Sequence, residues 1–232
     1  VVTDIIQNIL CASSVDDLMV SLLETRDIFE FEFVAFGTRV HLPVTSPKLD
    51  IISNYPPEWQ LCYQQNRYDA VDPIVSSALS SSTPIIWSSD LYPTKGSFWE
   101  EAQSHGVSYG CSQSIDSGGA SGILSFSRSS EPISYSEMLT IQSHLVAITH
   151  YAHTKFCQFV APSRFPEMFA RLTTREKDVL RWCADGKTSH EISIILRISE
   201  RTVNFHLNNI FEKLNVTNKT AACVKAVNYR LI

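Results

Sequence analysis

No apolar run in the 232 residues approaches the length of a membrane span, and no basic stretch followed by an apolar one opens the chain, so neither membrane insertion nor export is indicated and a cytoplasmic protein is expected. Cysteine is sparse: six residues, at 11, 62, 111, 157, 183 and 223, without a Cys-x-x-Cys pair. Such scatter argues against a disulfide-stapled secreted domain and for small buried apolar side chains in a reducing compartment. Internal repeats and low-complexity tracts are lacking. So is any arrangement resembling an activated nucleophile; an enzyme using Asp69, Asp72 and a tyrosine as acid and base is the alternative from that class, and the expectation is no enzyme. His144, His150 and His153 share one helical segment with no nearby carboxylate partner. No metal site is expected there, and no cofactor elsewhere.

Charge is unevenly shared. Before Met168 stand 8 of the 19 basic and 18 of the 24 acidic residues, a net of −10, and from Met168 onward 11 basic face 6 acidic, a net of +5. A basic tail on an acidic body fits polyanion binding, because phosphate neutralisation supplies most non-specific affinity for nucleic acid. Leu18, Leu22 and Leu23 lie on one stripe of a helix over 15–29, and 31–40, rich in aromatic and β-branched residues, reads as a strand. Further strands are expected at 49–53, 84–87, 111–115 and 122–127, helices at 57–66, 73–80 and 97–105, and a turn at Gly118-Gly119. Ile141, Leu145, Ile148, Ala152, Phe156 and Phe159 keep a three-to-four-residue step, giving one long helix over 134–159. Pro162 and Pro166 then interrupt the helical pattern. The expected organisation is an α+β domain over 1–160 with a sheet covered by helices, a linker at 161–171, and a second domain over 172–232.

That second domain shows three helix starts in about thirty residues. Thr173 with Glu176 and Thr188 with Glu191 form capping boxes, and Ser199 caps a third helix. Gly186 closes the first helix, and the short second one carries Ile192, Ile195 and Leu196 inward. A short helix, a tight turn and a longer helix make the helix-turn-helix plan. On the longer helix Val203, Leu207, Ile210, Phe211 and Leu214 share one stripe, with Arg201, Asn204, Phe205 and Asn208 opposite. Asn pairs with adenine and Arg with guanine in the major groove, and an exposed Phe suits a thymine methyl. Lys187, Arg197, Lys213 and Lys219 suit phosphate contacts; Thr188, Thr202 and His206 complete the candidate set. Face chemistry alone does not separate this from a solvated helix face. The run Leu172-Thr173-x-Arg175-Glu176, Gly186-Lys187-Thr188, Glu191-Ile192, Ile198-Ser199-Glu200, Thr202-Val203-Asn204-Phe205-His206, Lys213-Leu214 and Asn218-Lys219 resembles the DNA-binding domain of the LuxR family. The resemblance implies an all-α, four-helix domain that binds double-stranded DNA, and a last helix over 218–231, with a small face of Ala221, Ala222 and Ala226, that joins a homodimer.

The first domain is similar to the acyl-homoserine-lactone receptors of that family through Asn54-Tyr55-Pro56, Trp59, Tyr63, Tyr68, Asp72-Pro73, Trp87, Trp99-Glu100, His105-Gly106, Gly110 and Leu124-Ser125-Phe126. The resemblance implies a central antiparallel sheet flanked by helices, an α-β-α sandwich, enclosing an N-acyl-homoserine lactone. It implies Asp72 as acceptor for the ligand amide N–H and Trp59 as donor to the lactone carbonyl. Tyr55 and Ser125 would serve the amide carbonyl, with Tyr63, Ile74, Trp87, Trp99 and Ala35 as walls. Read from the residues alone, Asp72 before Pro73 is a helix N-cap, the tryptophans are core, and Ser125 is half exposed in a strand. The segment 114–121 is too polar and small for strands flanking an acyl chain and is expected as an exposed hairpin. A receptor of the same family that answers to a non-lactone signal, or to none, is the second reading. A phosphorylated response regulator is disfavoured, because the clustered acidic pair, strand-end Asp and later Lys of that design are missing.

Overall fold

Apart from residues 1, 46, 82, 88–90, 92–96 and 118, the computed structural model describes the whole chain, with the backbone alone at 48, 79, 97 and 164. Two compact units result, Val1–Phe159 and Val160–Ile232.

The first unit opens with α1 (Val2–Cys11), which buries Ile5 and Ile9, and α2 (Val15–Ile28), whose N-cap Ser14 accepts from the Asp17 N–H at 3.0 Å. The helix α1 precedes everything expected from periodicity. Strands β1 (Phe33–Val40), β2 (Lys48–Ser53), β3 (Ile85–Ile86), β4 (Tyr109–Ser117) and β5 (Ala120–Arg128) form one antiparallel sheet in the order β2-β1-β5-β4-β3. Between them lie α3 (Pro57–Gln65), α4 (Pro73–Ser80) and α5 (Ser97–Ser104), and α6 (Tyr135–Arg164) follows the sheet. The strand expected at 84–87 shrinks to two residues, although the Trp87 N–H still reaches the Gly110 carbonyl at 2.8 Å. Of the expected Gly118-Gly119 turn, Gly118 lies outside the described residues. Gly119 has φ +85, a left-handed value that glycine adopts without a Cβ penalty, and Ser117 pairs with Ala120 across the turn.

Strand β5 is buried along nearly its whole length, so both faces of the sheet are covered. Phe126 and Phe36 point to one face, where the Phe126 ring lies 5.7 Å from Phe29 and Phe36 lies 5.5 Å from Phe156 of α6. On the same face the bare Gly122 admits His153: a Cβ there would lie 2.6 Å from its Nδ1. Ile123 and Ser125 point to the other face, towards the cavity described below. The result is the expected α-β-α sandwich. The hairpin, however, is not the exposed one expected: Ala120 and Ser121 are buried. Two of its serines find partners: Ser114 Oγ donates to the carbonyls of Ala78 and Ser81, and Ser121 Oγ lies 2.7 Å from His41 Nε2.

The long helix passes Pro162 and ends at Arg164, beyond the expected end at 159. One proline near a C-terminus removes only one intrahelical bond, and the Phe165 N–H still reaches the Ala161 carbonyl at 2.8 Å. A 3₁₀ turn, Pro166–Phe169, follows, and its Glu167 receives hydrogen bonds from Lys225 Nζ at 3.3 Å and Asn215 Nδ2 at 3.4 Å. Part of the expected linker is therefore fastened to the second unit.

That unit is α7 (Thr174–Ala184), α8 (Ser189–Leu196), α9 (Glu200–Leu214) and α10 (Lys219–Asn228). Both capping boxes are closed in both directions, Ser199 accepts from the Thr202 N–H at 3.0 Å, and Asn218 caps α10. Val179, Leu180, Ile192, Val203, Ile210 and Leu214 form the core together with Ala222 and Ala226. Two expectations shift here. Ile195 is 40% exposed, since the short α8 seats its apolar side through Ile192 and the half-buried Leu196. The small face of α10 is consumed inside the unit, leaving Val224 and Val227 outward.

Candidate functional site

One cavity, with about 130 Å³ of room, opens between the sheet and the helices α3 to α5. That is roughly ten times what a single water needs, too large for a packing defect. All nine residues expected from the sequence line it: Ala35, Tyr55, Trp59, Tyr63, Asp72, Ile74, Trp87, Trp99 and Ser125. Strand pairing supplies the floor. Ser53, Ala35, Ser125 and Ser112 sit side by side in one row across the sheet, and Ile51, Gly37, Ile123 and Ser114 in the row two residues along. The lined floor is thus polar under one end and apolar under the other. Leu49, Ile51 and Phe98 also line the cavity and were not read from the sequence; the described part of 114–121 does not line it.

Asp72 keeps the N-cap role expected from the residues alone, and it also lines the cavity. It is the N-cap of α4, its Oδ1 accepting from the Ile74 N–H at 2.8 Å, while Oδ2 accepts from the Tyr63 hydroxyl at 3.0 Å. Burial of the carboxyl pushes its pKa up to about 6, against the opposing pull of the Ile74 N–H and the Tyr63 hydroxyl. Tyr63, expected only as a wall, therefore also orients the carboxylate. Burial likewise drives the Tyr55 and Tyr63 phenols well above their ordinary range, so both hydroxyls keep their protons for donation.

Trp59 is nearly fully buried in an aromatic box, its ring 5.8 Å from Tyr63, 6.0 Å from Tyr68 and 5.9 Å from Phe98. Behind that box Glu101 accepts from Cys62 Sγ and from the Tyr68 hydroxyl, each at 2.8 Å. Across the cavity Trp87 Nε1 donates to Ser112 Oγ at 2.9 Å, and Ser112 Oγ lies 2.7 Å from Ser125 Oγ. Ser125 is thus buried and bonded, not half exposed. Ser112 was missed because its link to Ser125 depends on strand register, to which local sequence is blind.

In the second unit α9 presents Arg201, Asn204, Phe205 and Asn208 as exposed residues, Phe205 at 60%, while Val203, Leu207 and Ile210 are buried. Thr202 and His206 are half-buried at its edge, and Thr188 and Ser199 hold the helix starts. Lys187, 3.9 Å from Glu191, remains partly exposed, as does Lys219, and Arg197 is exposed. Lys213, expected at a phosphate, is instead engaged within the fold. Its Nζ lies 2.9 and 2.6 Å from the two oxygens of the buried Glu176. Burial would raise the Glu176 carboxyl, but the bonds from Lys213 and Thr173 outweigh it and hold the pKa below its ordinary value.

Residues 14–156 match the family described as the autoinducer binding domain, and residues 170–226 match the luxR family of bacterial regulatory proteins. The chain belongs to the LuxR family. LuxR-family relatives align along nearly its whole length: the transcriptional activator AnoR of Acinetobacter nosocomialis is 37% identical over 99% of this chain and 98% of its own. Among solved structures, the crystal structure of Escherichia coli SdiA superposes with a TM-score of 0.87 at 31% identity, covering 100% of this chain and 97% of that one. SdiA has also been solved in complex with octanoyl-rac-glycerol. CepR2 of Burkholderia cenocepacia, an N-acylhomoserine lactone dependent LuxR-family factor, gives a TM-score of 0.63 at 25% identity over 68% of this chain and 94% of its own. Proteins of the LuxR family with these two domains are autoinducer-binding transcription regulators, not enzymes.

Proposed function

We propose that this LuxR-family regulator is a cytoplasmic homodimer whose DNA binding is controlled by an N-acyl-homoserine lactone held in the cavity. The observation that carries the reading is the meeting, in one largely apolar enclosure, of a carboxylate acceptor at Asp72 with protonated hydroxyls at Tyr55 and Ser125. A secondary amide presents an N–H and a carbonyl together, and such a pair of complementary partners reads both. In this assignment Asp72 accepts the amide N–H, Tyr55 and Ser125 serve the amide carbonyl, and Trp59 donates to the lactone carbonyl. Tyr63, Ile74, Trp87, Trp99 and Ala35 wall the head group, and Leu49 and Ile51 floor the acyl chain. The N-acylhomoserine lactone dependence of CepR2 supports the ligand class.

Sensor (1–160) and DNA-binding domain (172–232) are joined by the segment 161–171, of which the turn holding Glu167 is read as part of the DNA-binding side. Homodimer contact through the last helix is assigned to its outward Val224 and Val227, because Ala222 and Ala226 are used inside the unit. No described helix is long and apolar enough to cross a membrane; the cytoplasm follows from the DNA partner itself.

The test is a thermal shift of the full chain with lactones from butanoyl to dodecanoyl. Ligand that binds only the folded state raises its stability by mass action, so a chain-length-selective rise is expected. A second reading has its own observation, the octanoyl-rac-glycerol held by SdiA. Octanoyl-glycerol therefore belongs in the same panel, and a rise with it and no lactone would replace the lactone assignment by an acylglycerol one.

On DNA, we assign base contacts to Arg201, Asn204, Phe205 and Asn208 and backbone contacts to Lys187, Thr188, Thr202, His206 and Lys219, leaving Lys213 to Glu176. Asn204→Ala and Asn208→Ala should each cost about 1–3 kcal/mol of discrimination at one operator position. Lys187→Ala should weaken all sequences alike and lower the salt slope by about one. Uniform weakening by the asparagine variants would show that α9 does not read bases.

A further inference from the structure

Ser112 does not line the cavity, yet it is completely buried directly behind Ser125, its partner across the β4–β5 pairing. Its Oγ has two neighbours, Trp87 Nε1 at 2.9 Å and Ser125 Oγ at 2.7 Å. An indole N–H only donates, so towards Trp87 the Ser112 oxygen is the acceptor. The other partner of Ser112 among the described residues is Ser125, at a contact where either hydroxyl could donate; with Trp87 already donating to Ser112, the buried Ser112 hydrogen is satisfied only if Ser125 Oγ accepts it. That leaves the hydrogen of Ser125 to an acceptor in the cavity it lines, since a buried hydroxyl without one is costly.

We infer that Ser112 is a positioning residue: with Trp87 it fixes the direction of a three-member hydrogen-bond chain so that Ser125 faces the ligand as a donor, selecting a strong acceptor such as an amide carbonyl. A tryptophan that reads as a wall thereby sets the polarity of a group on the far side of a serine. The inference rests on the lactone reading and adds to it a residue that never touches ligand. It also explains why a fully buried serine occupies a strand position where an apolar side chain would otherwise bury more favourably.

The experiment compares two probes at the chain length bound most tightly in the panel: the acyl-homoserine lactone and its thioamide analogue. The thioamide keeps the N–H that faces Asp72 but offers a weakly accepting C=S. The full-length protein should prefer the amide by about tenfold, the worth of one well-placed hydrogen bond. In Ser112→Ala that preference should fall to about twofold, chiefly through loss of amide affinity. Ser112→Thr, which keeps the hydroxyl, should restore it. Trp87→Phe, which frees Ser112 to turn, should fall between. If Ser112→Ala does not fold, Trp87→Phe decides alone, and an unchanged preference in it overturns the inference. A Ser112→Ala variant that loses affinity for both probes equally would show a merely structural serine, and wild type without any preference would show that Ser125 does not donate. Wild type that binds no lactone at all, in a protein that melts cooperatively, removes the ligand reading and this inference together; the first two outcomes leave the ligand reading standing.

Discussion

Asp72→Asn is expected to yield a folded protein that no longer answers to lactone. Asn keeps the side-chain oxygen that caps α4, where Asp72 now accepts from the Ile74 N–H, and Asn is as good an N-cap as Asp. What it loses is the anionic acceptor beside Tyr63. Hydrogen bonds to charged groups contribute about 1.5–3 kcal/mol, so affinity should fall roughly ten- to a hundredfold and the thermal shift should vanish at ligand concentrations that saturate wild type. The pH dependence separates this from a folding defect. Burial lifts the folded-state pKa of Asp72 from 3.8 to about 6, so its contribution to the stability of the empty protein is most favourable below 3.8 and is lost as pH rises through about 6. The Asn variant lacks that loss and should be at least as stable as wild type at neutral pH. Lactone affinity runs the other way, falling in wild type below about 6 as the acceptor is protonated, and staying flat in the variant. Melting curves across this range, with and without lactone, decide the matter; equal pH dependence in the two proteins would remove Asp72 from the site.

Gly110→Ala is expected to damage the sensor unit out of proportion to one methyl group. A Cβ at this position would stand 2.6 Å from Trp87 Cε3 and 2.7 Å from the Phe126 carbonyl oxygen. Neither neighbour yields readily: the carbonyl belongs to the adjacent strand, and the indole is held at Nε1 by Ser112. Overpacking of this kind costs about 1–3 kcal/mol, and the displaced indole should also abolish the ligand-induced shift. Gly37→Ala serves as the control, because its Cβ would meet nothing nearer than Leu49 Cδ1 at 3.5 Å, an ordinary contact. Thermal unfolding of both variants, with DNA binding as the measure of the second unit, checks the contrast. Equal stability of the two variants would show that the crowding at Gly110 relaxes at no cost.

What local sequence conveys is visible in how these residues came together. The capping boxes at Thr173 and Thr188 and the outward Asn204 and Asn208 follow from spacing along one helix, where neighbours in space are three or four residues apart. The nine cavity residues came instead from the family resemblance; nothing in the periodicity of α3 or β5 would have joined Trp59 to Ser125. Ser112 and Gly37 depend on which strands pair and in what register, a non-local fact. Lys213 illustrates a different limit, since a lysine on a helix with a polar outward face reads as a phosphate ligand until a carboxylate 37 positions earlier is seen folded beneath it. The alanines of α10 mislead in the same manner: small residues permit close approach, and only the tertiary fold says to which helix.

The rows of the sheet floor have a further consequence. Residues two apart on a strand stand about 7 Å apart, a distance that spans several methylenes of an extended chain. The step from the row of Ser53, Ala35 and Ser125 to the row of Ile51, Gly37 and Ile123 therefore graduates the cavity like a ruler. On the proposed assignment, one side-chain exchange in the second row, where Gly37 now leaves a gap between two isoleucines, should shorten or lengthen the scale without touching the groups assigned to the head of the signal. Tuning what is measured is thereby separated from tuning what is held.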